Sequence, residues 1–141
     1  MTGSLALAWP VMAQILLTLV LLIWTGRARV AVARAGRVRL GTLALSGEGW
    51  PDDVKKISNN MHNQFETPIL FYVLCGLATA IGATGTLMAV LAWSWFASRL
   101  VHCAIHVTSN RIRYRFCAFA VGVTILLVMW AVLFLRLVAS A

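Results

Sequence analysis

TPILFYVLCGLATAIGATGTLMAVLAWSWFAS, residues 67–98, runs without a charged side chain and carries two glycines, Gly82 and Gly85, near its middle. A membrane crossing needs about 20 mostly apolar residues. The stretch is therefore long enough for two crossings, and Gly82-Ala83-Thr84-Gly85 is where the chain is expected to turn back between them. Working outward, residues 1–26 and 116–135 are also free of charge. Backbone polar groups cannot stay unpaired in lipid, and strand-like alternation is absent, so helices are the expected form of these runs. The chain reads as an all-α membrane protein: a four-transmembrane-helix bundle forming a single domain over residues 1–141, with helices near 6–27, 53–81, 86–107 and 113–137.

Composition agrees with this reading. Hydrophobic residues make up 61% of the chain and charged ones 11%, against roughly 25% charged in soluble domains. The net charge of +8 would suit nucleic acid, but its placement argues for topology instead. Arg27, Arg29, Arg34, Arg37, Arg39, Lys55 and Lys56 fall between the first two runs, and Arg111, Arg113 and Arg115 between the last two. The positive-inside rule puts both basic loops in the cytoplasm and both termini on the non-cytoplasmic side, with anionic lipid headgroups as the default partner of the charge. No basic residue precedes the first run, so Leu5 to Ile23 is expected to be a retained span, not a cleaved signal. Cys75, Cys103 and Cys117 all fall inside apolar runs in no C-x-x-C arrangement, as expected for small packing residues.

The one long connection, from Arg27 to Ser58, begins with helix formers and arginines that can prolong the first helix into the headgroups. Gly41, Gly47, Gly49 and Pro51 then mark a loop, and Asp52 or Asp53 is placed to cap the next helix. Within that helix Pro68 removes a backbone hydrogen bond and crowds the carbonyl of Gln64. A kink or loosening is expected beside Glu66.

Two polar stretches stand out at the basic end of the second and third runs. Asn59, Asn63 and Glu66 follow one another at offsets of four and three, with His62 at the border; Arg99, His102 and His106 follow at three and four. Both spacings project side chains along one helix face. Ionisable groups at membrane depth are costly and point to function. Glu66 and Arg99 are the expected interhelical ion pair, since either buried alone would be strongly unfavourable. The excess of Arg29, His62, His102, His106, Arg111 and Arg115 over that single carboxylate suits an anion whose carboxylates accept guanidinium hydrogen bonds. Arg111 and Arg115 share a helix face, whereas Arg113 reads as part of the solvated loop. His102 and His106 on one helix supply only half a metal site, so no metal is expected. The rival explanation of the polar groups is a non-enzymatic scaffold or assembly subunit whose network only locks helix packing. A small transporter fits poorly, because the first run offers only Gln14 as a strongly polar group.

Thr25-Gly26-Arg27-Ala28-Arg29 at the end of the first run, His62-Asn63-Gln64-Phe65-Glu66 opening the second, and Arg99-x-x-His102 followed by Arg111 and Arg115 resemble the MAPEG family, the four-helix membrane proteins of eicosanoid and glutathione metabolism. The likeness extends over nearly the whole chain and is closer to the bacterial branch of undefined activity than to the eicosanoid synthases. It implies a homotrimer in a bacterial inner membrane, with a glutathione pocket between neighbouring subunits near the cytoplasmic surface. By that likeness Arg29, His62, Asn63, Glu66, His102, His106 and Arg115 surround the tripeptide, and Arg99 and Arg111 support the network. Arg115 is the catalytic candidate that stabilises glutathione thiolate, which would attack a lipophilic electrophile as in a transferase, or reduce a peroxide. The pattern departs from the family at His106, where a tyrosine is common, at Phe116 and Phe119, where hydroxyl residues occur, and at Asn59, where an arginine is frequent.

Overall fold

The computed structural model describes residues 5–39, 41, 43 and 49–140; Gly47 lies outside them. Helix α1 spans Ala8–Arg34, α2 Asp52–His62, a 3-10 turn Asn63–Phe65, α3 Thr67–Ala80, α4 Thr86–Val107 and α5 Ile112–Ser140. No strand occurs among the described residues. Three of these helices, α1, α4 and α5, are long and apolar enough to cross a membrane.

α1 runs past Arg27 because Ala28, Arg29, Ala31, Ala33 and Arg34 are strong helix formers. It stops at Gly36, whose φ of +65° costs a glycine little. There the Arg37 amide donates to the Val32 carbonyl at 3.0 Å and the Gly36 amide to Ala33 at 3.1 Å, closing the end in a Schellman motif. α3 ends the same way. Gly82 sits at φ +70°, and the Ala83 amide donates to Ala78 at 2.7 Å.

The expected single helix over 53–81 is divided. Glu66 leaves helical geometry at φ −102°, ψ −101°, two residues before Pro68. A proline in mid-helix lacks the amide and clashes one turn back, but in a first turn its missing amide costs nothing. The chain accordingly ends one helix, tightens into a 3-10 turn and begins α3 with Pro68 in its first turn. α2 itself starts at Asp52 with Pro51 at its cap position and no side-chain cap, so neither aspartate plays the capping role.

The main core lies between α3, α4 and α5. Phe71 stacks on Trp95 with ring centroids 4.0 Å apart, surrounded by Met88, Ala92, Met129 and Leu133. Lipid is as apolar as these side chains, so close packing and dispersion hold such a core more than water exclusion does. α5 approaches α4 closely at Gly122, where a Cβ would stand 3.0 Å from Ser98 Oγ. A smaller cluster of Leu21, Met61 and Cys103 lies toward the polar end. Trp9, Leu16, Ile23, Leu127, Trp130 and Leu135 stay exposed, as lipid-facing residues of a membrane protein do.

Candidate functional site

The division of the second helix places the polar stretch where α2, α4 and α5 meet. Asn59 and His62 project from α2, Asn63 and Glu66 from the 3-10 turn and its end, His102 and His106 from α4, and Ile112, Arg115, Phe116 and Phe119 from the first turns of α5. Together they line one cavity of about 510 Å³, within the size range of small-molecule sites. Six of the nine residues expected to form a site, His62, Asn63, Glu66, His102, His106 and Arg115, are thus gathered in a single chain.

The walls are held by specific hydrogen bonds. Arg99, 2% exposed, donates from Nη2 to the Asn63 carbonyl at 3.2 Å, fixing the 3-10 turn from behind. Asn63 Nδ2 lies 3.4 Å from His106 Nδ1; an amide nitrogen only donates, so this ring nitrogen accepts. His102 Nδ1 lies 3.2 Å from the Arg115 carbonyl; a carbonyl only accepts, so here the ring nitrogen donates. The two imidazoles meet edge to face at 5.8 Å between centroids, and Phe119 leans on His102 at 6.2 Å. Arg115 donates from Nη1 to Asn110 Oδ1 at 2.7 Å.

Among the described residues the ion pairs are Arg37–Asp53 and Lys55–Asp52, both at the surface. The expected Glu66–Arg99 pair is not formed, because Arg99 reaches the Asn63 carbonyl instead while Glu66 stays exposed at the helix break. Arg99 therefore lies behind the cavity wall. Arg29 stands apart, donating to Ser58 Oγ at 3.2 Å with its guanidinium 5.3 Å above the Trp50 ring. Arg111 is exposed in the α4–α5 turn, beside a separate depression lined by Ser109 to Tyr114. No group of three or more His, Cys, Asp or Glu side chains able to hold a metal occurs among the described residues.

A second polar network joins residues of α1, α2 and α4 that no sequence spacing brings together. Gln14 Nε2 donates to Gln64 Oε1 at 2.9 Å, Gln64 Nε2 to the Asn60 carbonyl at 3.0 Å, and Asn60 Nδ2 contacts Cys103 Sγ at 2.9 Å. Its one forward signal was Gln14, alone and strongly polar in the first apolar run. The Cys103 thiol is therefore a hydrogen-bonded member of a network, not merely a packing group.

A family model described as MAPEG family matches residues 7–135. No curated protein and no solved structure matches the chain.

Proposed function

Starting from the fact that the chain belongs to the MAPEG family of integral membrane proteins, we propose that it binds glutathione and transfers it to lipophilic electrophiles or uses it to reduce peroxides. In this reading the composite of α2, the 3-10 turn and α3 makes a fourth crossing beside α1, α4 and α5. The protein is a homotrimer in a bacterial inner membrane, its termini on the non-cytoplasmic side.

The observation that carries the reading is the charge balance of the cavity. Its lining holds one carboxylate, Glu66, against Arg115 and three imidazoles. Glutathione has two carboxylates, one ammonium group and one thiol. Glu66 suits the ammonium, Asn59, Asn63 and the histidines supply hydrogen bonds, and Arg115 stabilises thiolate as a nearby cation does for cysteine. Arg99 acts through Asn63. Arg29 and Arg111, turned away from this cavity within one chain, are assigned to the pocket at a subunit boundary.

Glutathione itself supplies the nucleophile. Arg115 would hold the thiol and stabilise its thiolate, and the bound tripeptide would supply a sulfur nucleophile to an electrophilic carbon. The protein contributes position and charge. Phe116 and Phe119 offer an apolar wall to a substrate arriving from the bilayer.

Glutathione should raise the heat-denaturation midpoint of the detergent-solubilised protein, with stabilisation of about 2.7 kcal/mol at a hundredfold excess over Kd. No shift at saturating glutathione sinks the proposal. A scaffold reading is favoured by one feature, the Gln14–Gln64–Asn60–Cys103 network, which joins α1, α2 and α4 without entering the cavity lining. That reading requires Glu66→Gln to weaken the assembly and leave every ligand effect untouched.

A further inference from the structure

Asn110, in the short turn between α4 and α5, is the only non-glycine residue with positive φ among those described, at +48°. Left-handed backbone is cheapest for glycine and tolerable for asparagine. The conformation is locked by the Asn110 amide, which donates to the Ile105 carbonyl at 2.8 Å. If backbone shape were the only requirement, glycine would serve it better. The asparagine side chain has its own use: Oδ1 accepts from Arg115 Nη1 at 2.7 Å. Only the amide oxygen can accept there, so the amide orientation is set by the arginine.

Arg115 is thereby held at both ends. Its carbonyl accepts from His102 on α4, which fixes the first turns of α5 against α4, and its guanidinium is anchored by the turn that joins those helices. One Nη1 hydrogen is engaged with Asn110, and no other side-chain partner of Arg115 is formed among the described residues. The remaining guanidinium donors are available to an anion in the cavity. The anchor is also uncharged: a carboxylate at this position would orient the arginine equally well but cancel its charge.

We infer that Asn110, which does not itself line the cavity, is a positioning residue for Arg115, holding the guanidinium by a neutral acceptor so that its full charge faces an anionic sulfur ligand. This rests on the glutathione reading. Two variants separate the components of the claim. Asn110→Gly keeps the left-handed turn and removes the acceptor; Asn110→Asp keeps the acceptor and adds the cancelling charge.

Glutathione is added to each detergent-solubilised protein at neutral pH, and both the heat-denaturation midpoint and the ultraviolet absorbance of bound thiolate are read. The wild type is expected to show glutathione-dependent stabilisation and a thiolate band. Asn110→Gly should unfold, without ligand, at or above the wild-type midpoint, yet lose thiolate about tenfold, the scale of one hydrogen bond to a charged group. Asn110→Asp should lose at least as much. A wild-type thiolate fraction in either variant overturns the inference while leaving glutathione binding intact. Absence of both stabilisation and thiolate in the wild type overturns the glutathione reading, and this inference with it. Should Asn110→Gly fail to fold, Asn110→Asp decides alone, because aspartate also accepts left-handed backbone.

Discussion

Asn60 and Gln64 leave one side of α2 and its 3-10 extension, while Asn59, Asn63 and Glu66 leave the other, and the two sets meet opposite fates. The inward set closes on itself: Gln14, Gln64, Asn60 and Cys103 bond in series, and among their amide atoms only Gln14 Oε1 lacks a partner. The outward set borders a cavity in which His62 and Glu66 remain exposed and Arg115 keeps spare donors. Both are polar groups within a membrane protein, so polarity alone does not mark a site. Spare hydrogen-bonding capacity does, because a group with no further role there would be satisfied or replaced by an apolar one.

The contrast is broken most severely at Arg115. Arg115→Met should reduce thiolate formation by bound glutathione by about 10²- to 10³-fold, the cost of losing one positioned charge-stabilising donor, and leave the ligand-free heat midpoint in place. A large drop in that midpoint would move Arg115 to the structural side. Next comes Gln64→Leu. It strands the Gln14 amide and should cost about 1–3 kcal/mol of stability, read by heat denaturation, with the glutathione-induced increment unchanged. Adding Gln14→Leu should restore most of the loss, because removing both partners of a buried hydrogen bond is far milder than removing one.

A smaller effect is expected at the border between the two sets. Glu66→Gln should weaken glutathione binding about tenfold, measured by titration calorimetry, through loss of a charge-assisted contact; unchanged binding with a weakened oligomer would favour the scaffold. The smallest belongs to Arg37→Ala. It removes an exposed ion pair of 3.3 Å that touches neither network, and it should leave the midpoint unmoved at both low and high salt.

Much of this architecture is legible from residue order. Charge-free runs reveal the long helices, because lipid tolerates little else, and Pro68 announces the interruption beside Glu66. The 3- and 4-residue offsets put His102 and His106 on one face. What escaped was partner choice. Glu66 and Arg99 look complementary as charges, yet Arg99 finds a backbone carbonyl exposed by the 3-10 turn, an acceptor created by the fold and invisible beforehand. The Gln14–Gln64 contact joins residues 50 positions apart, and no local periodicity encodes such a distance. Asn110 escaped for another reason: in a turn, asparagine is so common as a backbone device that its side chain draws no notice.

The interruption at Glu66 also sets the relative lengths of the two helices that follow it. With 14 residues, α3 is about 21 Å long, short of a hydrocarbon core of about 30 Å. It is joined to α4 through the Gly82 turn and packed against it by the Phe71–Trp95 stack. Residues 67–107 thus form a helical hairpin of unequal arms, 14 residues against 22, and the shorter arm reaches the length of a crossing only together with the 3-10 turn and α2.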